Sequence, residues 1–210
     1  MPYKMNKMQV AHQQLNVAIR LHFLDDDPAS VLTLAGAAAG VFRDLVEQKH
    51  PGKSWDEKAM QAAGMDRESY FKAMRFGQNF LKHADRDPDD TMEWPASDAE
   101  SLMFWATLNA GELDGISTSQ QVFQLWFFAT RSKLFSPDFG PCVTALEYFP
   151  GILMMEDHEQ RRFGYTKLVL QMTEDGEAQL PCAGATMIRL HDTCSMRAKS
   201  WIARRPEKCG

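Results

Sequence analysis

Five polar residues in the middle of the chain have the types and the spacing of an anion-binding surface. At about 100° per residue they gather on one side of a predicted helix; they are Lys72, Arg75, Asn79, His83 and Arg86, which we call the polar stripe. Guanidinium and ammonium groups bind phosphate oxygens. An imidazole titrates near neutral pH and can carry a proton, which makes His83 the candidate proton carrier.

The stripe and its neighbour Lys82 give two sets of candidate residues. The candidate anion-binding residues are Lys72, Lys82 and Arg86, and the candidate catalytic residues are His83, Asn79 and Arg75. The alternative interpretation is a solvated helix face. In that case His83 is a polar residue near the helix C-terminus, where the helix dipole favours a cation.

The string Gln-Asn-Phe-Leu-Lys-His at 78–83 resembles the R-N-x-x-x-H motif of the HEPN superfamily. The resemblance implies a bundle of four or five helices, often a homodimer, in which the Arg and His of the motif cleave RNA. Asn79 and His83 match the motif, but Gln78 stands where the family has Arg. A neutral amide cannot stabilise a phosphorane-like transition state by charge. Arg75, one turn before Asn79, is the candidate replacement.

A second resemblance covers more of the chain. The string Leu-Thr-Leu-Ala-Gly-Ala-Ala at 32–38, followed by 79–83 and by Asp-Pro-Asp at 87–89, resembles a group of uncharacterised bacterial helical proteins. The likeness covers roughly residues 8 to 135 and leaves out the C-terminal third.

These residues are compatible with three functions. The first is a HEPN-like scaffold without catalysis that acts by association, as a homodimer. The second is a metal-independent endoribonuclease, in which His83 moves a proton to or from the 2′-hydroxyl or the leaving oxygen while cations hold the phosphate. The third is a small-ligand sensor with a pocket between the second and fifth predicted helices. RNA is the candidate ligand of the second, and none of the three requires a cofactor.

Helices must position these side chains. Apolar residues recur with helical spacing in five segments, which are Met5 to Leu24, Pro28 to Gln48 with Asp27 as N-cap, Arg67 to Ala84 with Asp66 as N-cap, Ser97 to Gly111 with a Ser97…Glu100 capping box, and Ser117 to Leu134. A loop or short helix is predicted over 53–65. Five helices with short connections predict an all-α, antiparallel bundle.

The composition of the sequence changes after Phe135, where proline and glycine become frequent. We therefore predict a helical bundle over 1–135 and a C-terminal extension of mixed or irregular structure over 136–210. The stretch 165–172 is compatible with a strand or a short helix. The extension could form its own domain, cover the bundle or extend a dimer interface.

Composition excludes several classes of protein. The chain has 210 residues, 44% of them apolar and 24% charged, which is an ordinary globular balance. A net charge of −5 disfavours a protein that coats nucleic acid non-specifically. No apolar run reaches the ~18 residues needed to span a membrane, and no secretory signal is visible at the N-terminus. We therefore expect a cytoplasmic protein that does not enter the membrane.

No metal site is predicted. The four cysteines lie in the last third of the chain, form no C-x-x-C pair and match no zinc template. The acidic loop at 85–90 resembles the start of a calcium loop, but Asp90 occupies the position that requires Gly, and Ala96 the one that requires Glu.

Overall fold

The computed structural model describes residues 2–82, 88–113 and 115–173. Within these ranges the secondary structure is helical throughout, which confirms the all-α prediction. The α-helices are α1 Lys7–Phe23, α2 Pro28–Lys49, α3 Trp55–Ala63, α4 Arg67–Met74, α5 Phe76–Phe80, α6 Ala96–Gly111, α7 Thr118–Thr130, α8 Gly140–Tyr148 and α9 Asp157–Thr173, and the 3-10 helices are η1 Ser132–Leu134 and η2 Ile152–Met154.

Side-chain caps fix the start of several helices. The Asp27 carboxylate accepts hydrogen bonds from backbone N–H groups in the first turn of α2, and Pro28 occupies a position where no N–H is needed. Asp66 caps α4 in the same way. Ser117 and Gln120 form a capping box at the start of α7. The predicted starts of these three helices are therefore confirmed to within a residue.

The core lies between α1, α2, α6 and α7, with α2 packed against α1 and α6. Its largest fully buried side chains include the rings of Phe42, Phe123 and Phe128, each of which stabilises the fold by about 1.5–3 kcal/mol through burial. By length and composition alone α2 could cross a membrane, although 44% of its apolar window is buried inside the protein. The core helix of a soluble protein gives the same signal.

The helix predicted from Arg67 to Ala84 is interrupted at Arg75, whose backbone (φ −98°, ψ 2°) leaves the helical region. The interruption separates α4 from the single turn α5, which packs on α2 through Gly77 and Gln78. Phe76, which one continuous helix would place with the apolar residues Ala73, Phe80 and Ala84, is 53% exposed. The prediction of one continuous helix over this segment is therefore wrong.

The predicted capping box at the start of α6 is also wrong. The helix begins at Ala96 after Pro95, and no side chain caps it. Glu100, the residue expected to reach back to Ser97, is instead buried, with one carboxylate oxygen 3.3 Å from His22 Nε2 and the other paired with Arg131. Tertiary pairing of this carboxylate outcompetes the local cap.

Beyond Phe135 the described chain continues as α8, η2 and α9, and the stretch 165–172 is helical. Both α8 and α9 pack on α7, and α9 also contacts α1. The Trp126 indole donates a hydrogen bond to the Gln160 carbonyl (2.8 Å). At Gly164 a β-carbon would lie 2.5 Å from the ring of Phe23, so only glycine permits this approach of α9 to α1.

Candidate anion-binding site

The polar stripe lies only partly within the described residues. Lys72 on α4, Arg75 at its end and Asn79 on α5 are exposed, as is Lys82 just after α5. His83 and Arg86 lie outside the described residues, as does the acidic loop apart from its last three positions.

Arg75 and Asn79 keep the predicted spacing along the backbone. The Asn79 N–H donates to the Arg75 carbonyl (2.8 Å), so the two residues are one turn apart. The Arg75 side chain, however, points back along α4, toward the preceding turn. Its guanidinium carbon lies 4.9 Å from the centre of the Phe71 ring, one turn earlier.

Two further arginines share this ring. The guanidinium carbon of Arg43, on α2, lies 4.6 Å from the Phe71 ring centre, and that of Arg67, on α4, lies 5.1 Å from it. We call Arg43, Arg67 and Arg75 the arginine cluster. Each contact lies within the range of a cation–π interaction, and these contacts bring three like charges to one half-buried phenyl ring.

Carboxylates neutralise two members of the arginine cluster. The Arg43 Nη2 lies 2.6 Å from an oxygen of Asp44, whose side chain is exposed. Arg67 pairs with Glu57. Within the described ranges no carboxylate forms an ion pair with Arg75. Arg75 is therefore the cluster member whose donors are most available to a ligand.

The surroundings of Arg75 disfavour its charge. Partial burial lowers the pKa of its guanidinium, the positive charges of Arg43 and Arg67 lower it further, and the carboxylates of Asp44 and Asp56 act in the opposite direction. Arginine still stays protonated at physiological pH. A bound anion would relieve this repulsion.

Asp56, on α3, is only 7% exposed. Burial raises the pKa of this carboxyl, while a hydrogen bond from Asn109 Nδ2 (3.0 Å) and the charge of Arg43 act against the rise. Asn109 also accepts a hydrogen bond from the Trp55 N–H (2.9 Å). The Asn109 amide therefore ties α3 to α6.

Gln78, at the motif position of Arg, is buried against α2. Its amide oxygen accepts hydrogen bonds from the Ala37 N–H (3.0 Å) and from Lys82 Nζ (2.8 Å). The amide carbon lies so close to Gly36 that a β-carbon there would be 2.7 Å away. Gln78 is therefore a packing residue of α5, and the Lys82 ammonium group donates a hydrogen bond to it.

Sequence reasoning identified Arg75 but missed Arg43 and Arg67. A usable signal was present, since Arg67, Phe71 and Arg75 are spaced by four residues and so share one face of α4. The contribution of Arg43 depends on the tertiary fold, which brings a side chain of α2 to the Phe71 ring and which no local pattern encodes.

A second group of ionisable side chains lies at the core. The buried cluster of His22, Glu100 and Arg131 is enclosed by aromatic rings, including Trp126. Among the described residues no group of histidine, cysteine and acidic side chains could hold a metal ion. Neither observation adds a reactive centre to the described part of the chain.

A surface groove of about 610 Å³ lies between the end of α1 and α9, away from the predicted pocket between the second and fifth helices. It is lined by Phe23, Leu24, Asp25, His158, Arg162, Tyr165 and Thr166. Asp25, in a left-handed conformation (φ 58°), pairs with Arg161 at 3.0 Å beside it. The small-ligand function therefore stays a prediction.

Comparison of the chain with protein-family models, with curated proteins and with solved structures gave no significant match. We therefore infer function from the geometry described above.

Proposed function

We propose that this chain is a HEPN-like helical protein that acts by association, as a homodimer, and does not cleave RNA. The observation that carries the proposal is the burial of Gln78. The motif needs a cation that reaches the scissile phosphate, whereas this side chain is turned into α2 and hydrogen-bonded there.

The local chemistry also disfavours an arginine at this position. The Gln78 amide oxygen accepts a hydrogen bond from Lys82 Nζ (2.8 Å) and contacts the backbone of α2 at the Ala37 N–H (3.0 Å). Arginine has only donors, so Gln78→Arg could not accept the hydrogen bond from Lys82 and would place a second cation beside it. The residues around position 78 therefore favour glutamine over the arginine of the motif.

The proposal includes the antiparallel bundle. It is supported by contacts of α1 with α2, of α2 with α6, of α6 with α7 and of α7 with α1, which form a closed ring of four helices. The proposal also includes the cytoplasmic location and a second copy of the chain as partner.

A cleavage assay separates this function from the catalytic alternative, in which Asn79, His83 and Arg75 form a nuclease site. The full chain is incubated with single-stranded RNA in the presence of a chelator, and we expect the RNA to remain intact. Cleavage that is lost in His83→Ala but kept in the control His158→Ala would overturn the proposal. His158 is a suitable control because it is an exposed histidine on α9 and lines the surface groove between the end of α1 and α9.

The homodimer is tested by light scattering on the same preparation. We expect a mass twice that of the single chain across a range of protein concentrations. A mass that stays at that of one chain would contradict the homodimer, whatever the outcome of the cleavage assay.

A further inference from the structure

We propose that the arginine cluster is a binding site for a phosphate group, with Arg75 as its principal ligand and Phe71 as the common support of the three guanidinium groups. This inference does not depend on the proposed function. It holds whether the chain is a monomer or a dimer, and whether or not it cleaves RNA.

Convergence of the three side chains is the first observation. Arg67 and Arg75 approach Phe71 from the preceding and following turns of α4, and Arg43 approaches it from α2. A site assembled from two helices is fixed by the fold. Planar guanidinium groups present paired N–H donors that match the oxygens of phosphate.

Uneven neutralisation is the second observation. Asp44 and Glu57 balance Arg43 and Arg67, whereas Arg75 has no carboxylate partner among the described residues. A phosphate that carries close to two negative charges would bind Arg75 and share the donors of Arg43. Partial desolvation strengthens such an interaction relative to one in water.

The exposure of the cluster members permits entry of a ligand. Arg75 is exposed, and the side chain of Arg67 is 63% exposed, whereas Arg43 is buried beneath them. This arrangement places one fixed cation at the base and two accessible ones at the surface. Asp44 is exposed at the same place and competes with a ligand for Arg43.

Calorimetric titration of the full chain with inorganic pyrophosphate at low ionic strength tests the site. We expect binding by the wild type and a dissociation constant raised about tenfold in Arg75→Gln, the effect of losing a charged hydrogen-bonding partner. Arg20→Gln removes the same charge from an exposed position on α1 and is expected to bind as the wild type does.

Asp44→Asn tests the site in the opposite direction. Because it removes the carboxylate that competes for Arg43, we expect pyrophosphate to bind a few-fold more tightly. A cluster with a purely structural role would not gain affinity. Thermal unfolding followed by circular dichroism checks that each variant is folded.

Two results would overturn the proposal: absence of pyrophosphate binding by the folded wild type, or equal affinity of the wild type and Arg75→Gln. A parallel titration with single-stranded RNA identifies the source of the phosphate. Loss of RNA binding in Arg75→Gln indicates phosphates of a nucleic-acid strand, and pyrophosphate binding alone indicates a small phosphate compound. Either source supports a phosphate site.

Discussion

Gly36 allows α5 to pack on α2, and the first prediction tests this. A β-carbon at Gly36 would lie 2.7 Å from the amide carbon of Gln78, so Gly36→Ala must displace that amide from its hydrogen bond with Ala37. We expect a loss of about 1–2 kcal/mol in the free energy of unfolding, measured with denaturant.

Gly40→Ala is the matched control, since nothing lies within 4 Å of a β-carbon at Gly40 in the same helix. We expect it to be neutral or to stabilise by up to about 1 kcal/mol through helix propensity. Combining Gly36→Ala with Gln78→Ala should recover part of the loss. Equal stabilities of the two glycine variants would contradict the role given to Gln78.

Glu100 gives a prediction that depends on pH. Burial raises the pKa of this carboxyl, but the contact with His22 and the charge of Arg131 outweigh burial and hold the pKa below its ordinary value of 4.5. A carboxyl with a lowered pKa stabilises the fold above the unfolded pKa, and the contribution is lost as pH falls through the folded value.

We therefore expect Glu100→Gln to lower the free energy of unfolding at pH 7 by about 3 kcal/mol, because Arg131 loses its buried partner. The difference from the wild type should shrink as pH falls below 4.5. Glu112→Gln removes a less buried carboxylate, paired with Lys58 at 2.9 Å, and should cost less than about 1 kcal/mol. A pH-independent difference for Glu100→Gln would show that charge is not its role.

At the scale of elements, caps explain which helix starts could be read from the sequence. Asp27, Asp66 and Ser117 cap α2, α4 and α7 through groups only two or three residues away, so the local pattern sufficed. Glu100 has the same local pattern but pairs across the core, and no local rule detects that competition. The interruption at Arg75 was missed for a related reason, since α5 packs on α2 through Gly77 and Gln78.

Docking of α9 on α1 depends on a second glycine. A β-carbon at Gly164 would lie 2.5 Å from the ring of Phe23, which is fully buried and cannot move aside freely. We expect Gly164→Ala to destabilise the protein by about 2–3 kcal/mol, although alanine favours helix more than glycine does. Denaturant unfolding of the variant measures the loss.

Thr166→Ala, on an exposed position of α9, is the control and should change stability little. Replacing Phe23 with leucine in the Gly164→Ala background should restore part of the loss, because the smaller side chain leaves space. If Gly164→Ala were as stable as the wild type, α9 would not be held against Phe23 as described.

At the scale of the whole molecule, the sequence predicted the helical class but not how the helices combine into a site. The arginine cluster shows why. Arg67, Phe71 and Arg75 share a face of α4 by spacing alone, whereas Arg43 joins them only because the tertiary fold brings it from α2 to the Phe71 ring. Convergence of residues distant in sequence is a property of the packing.

The contacts of α9 also predict how the described chain unfolds. The Trp126–Gln160 hydrogen bond joins α9 to α7, the close approach of Gly164 to Phe23 joins it to α1, and the ion pair of Arg161 with Asp25 joins it to the loop after α1. Because these contacts involve core residues, we expect α9 and α2 to open together. Amide hydrogen exchange at increasing denaturant should then give both helices the same free energy of opening. A lower value for α9, with α2 still protected, would instead make the residues after 135 a unit that unfolds on its own.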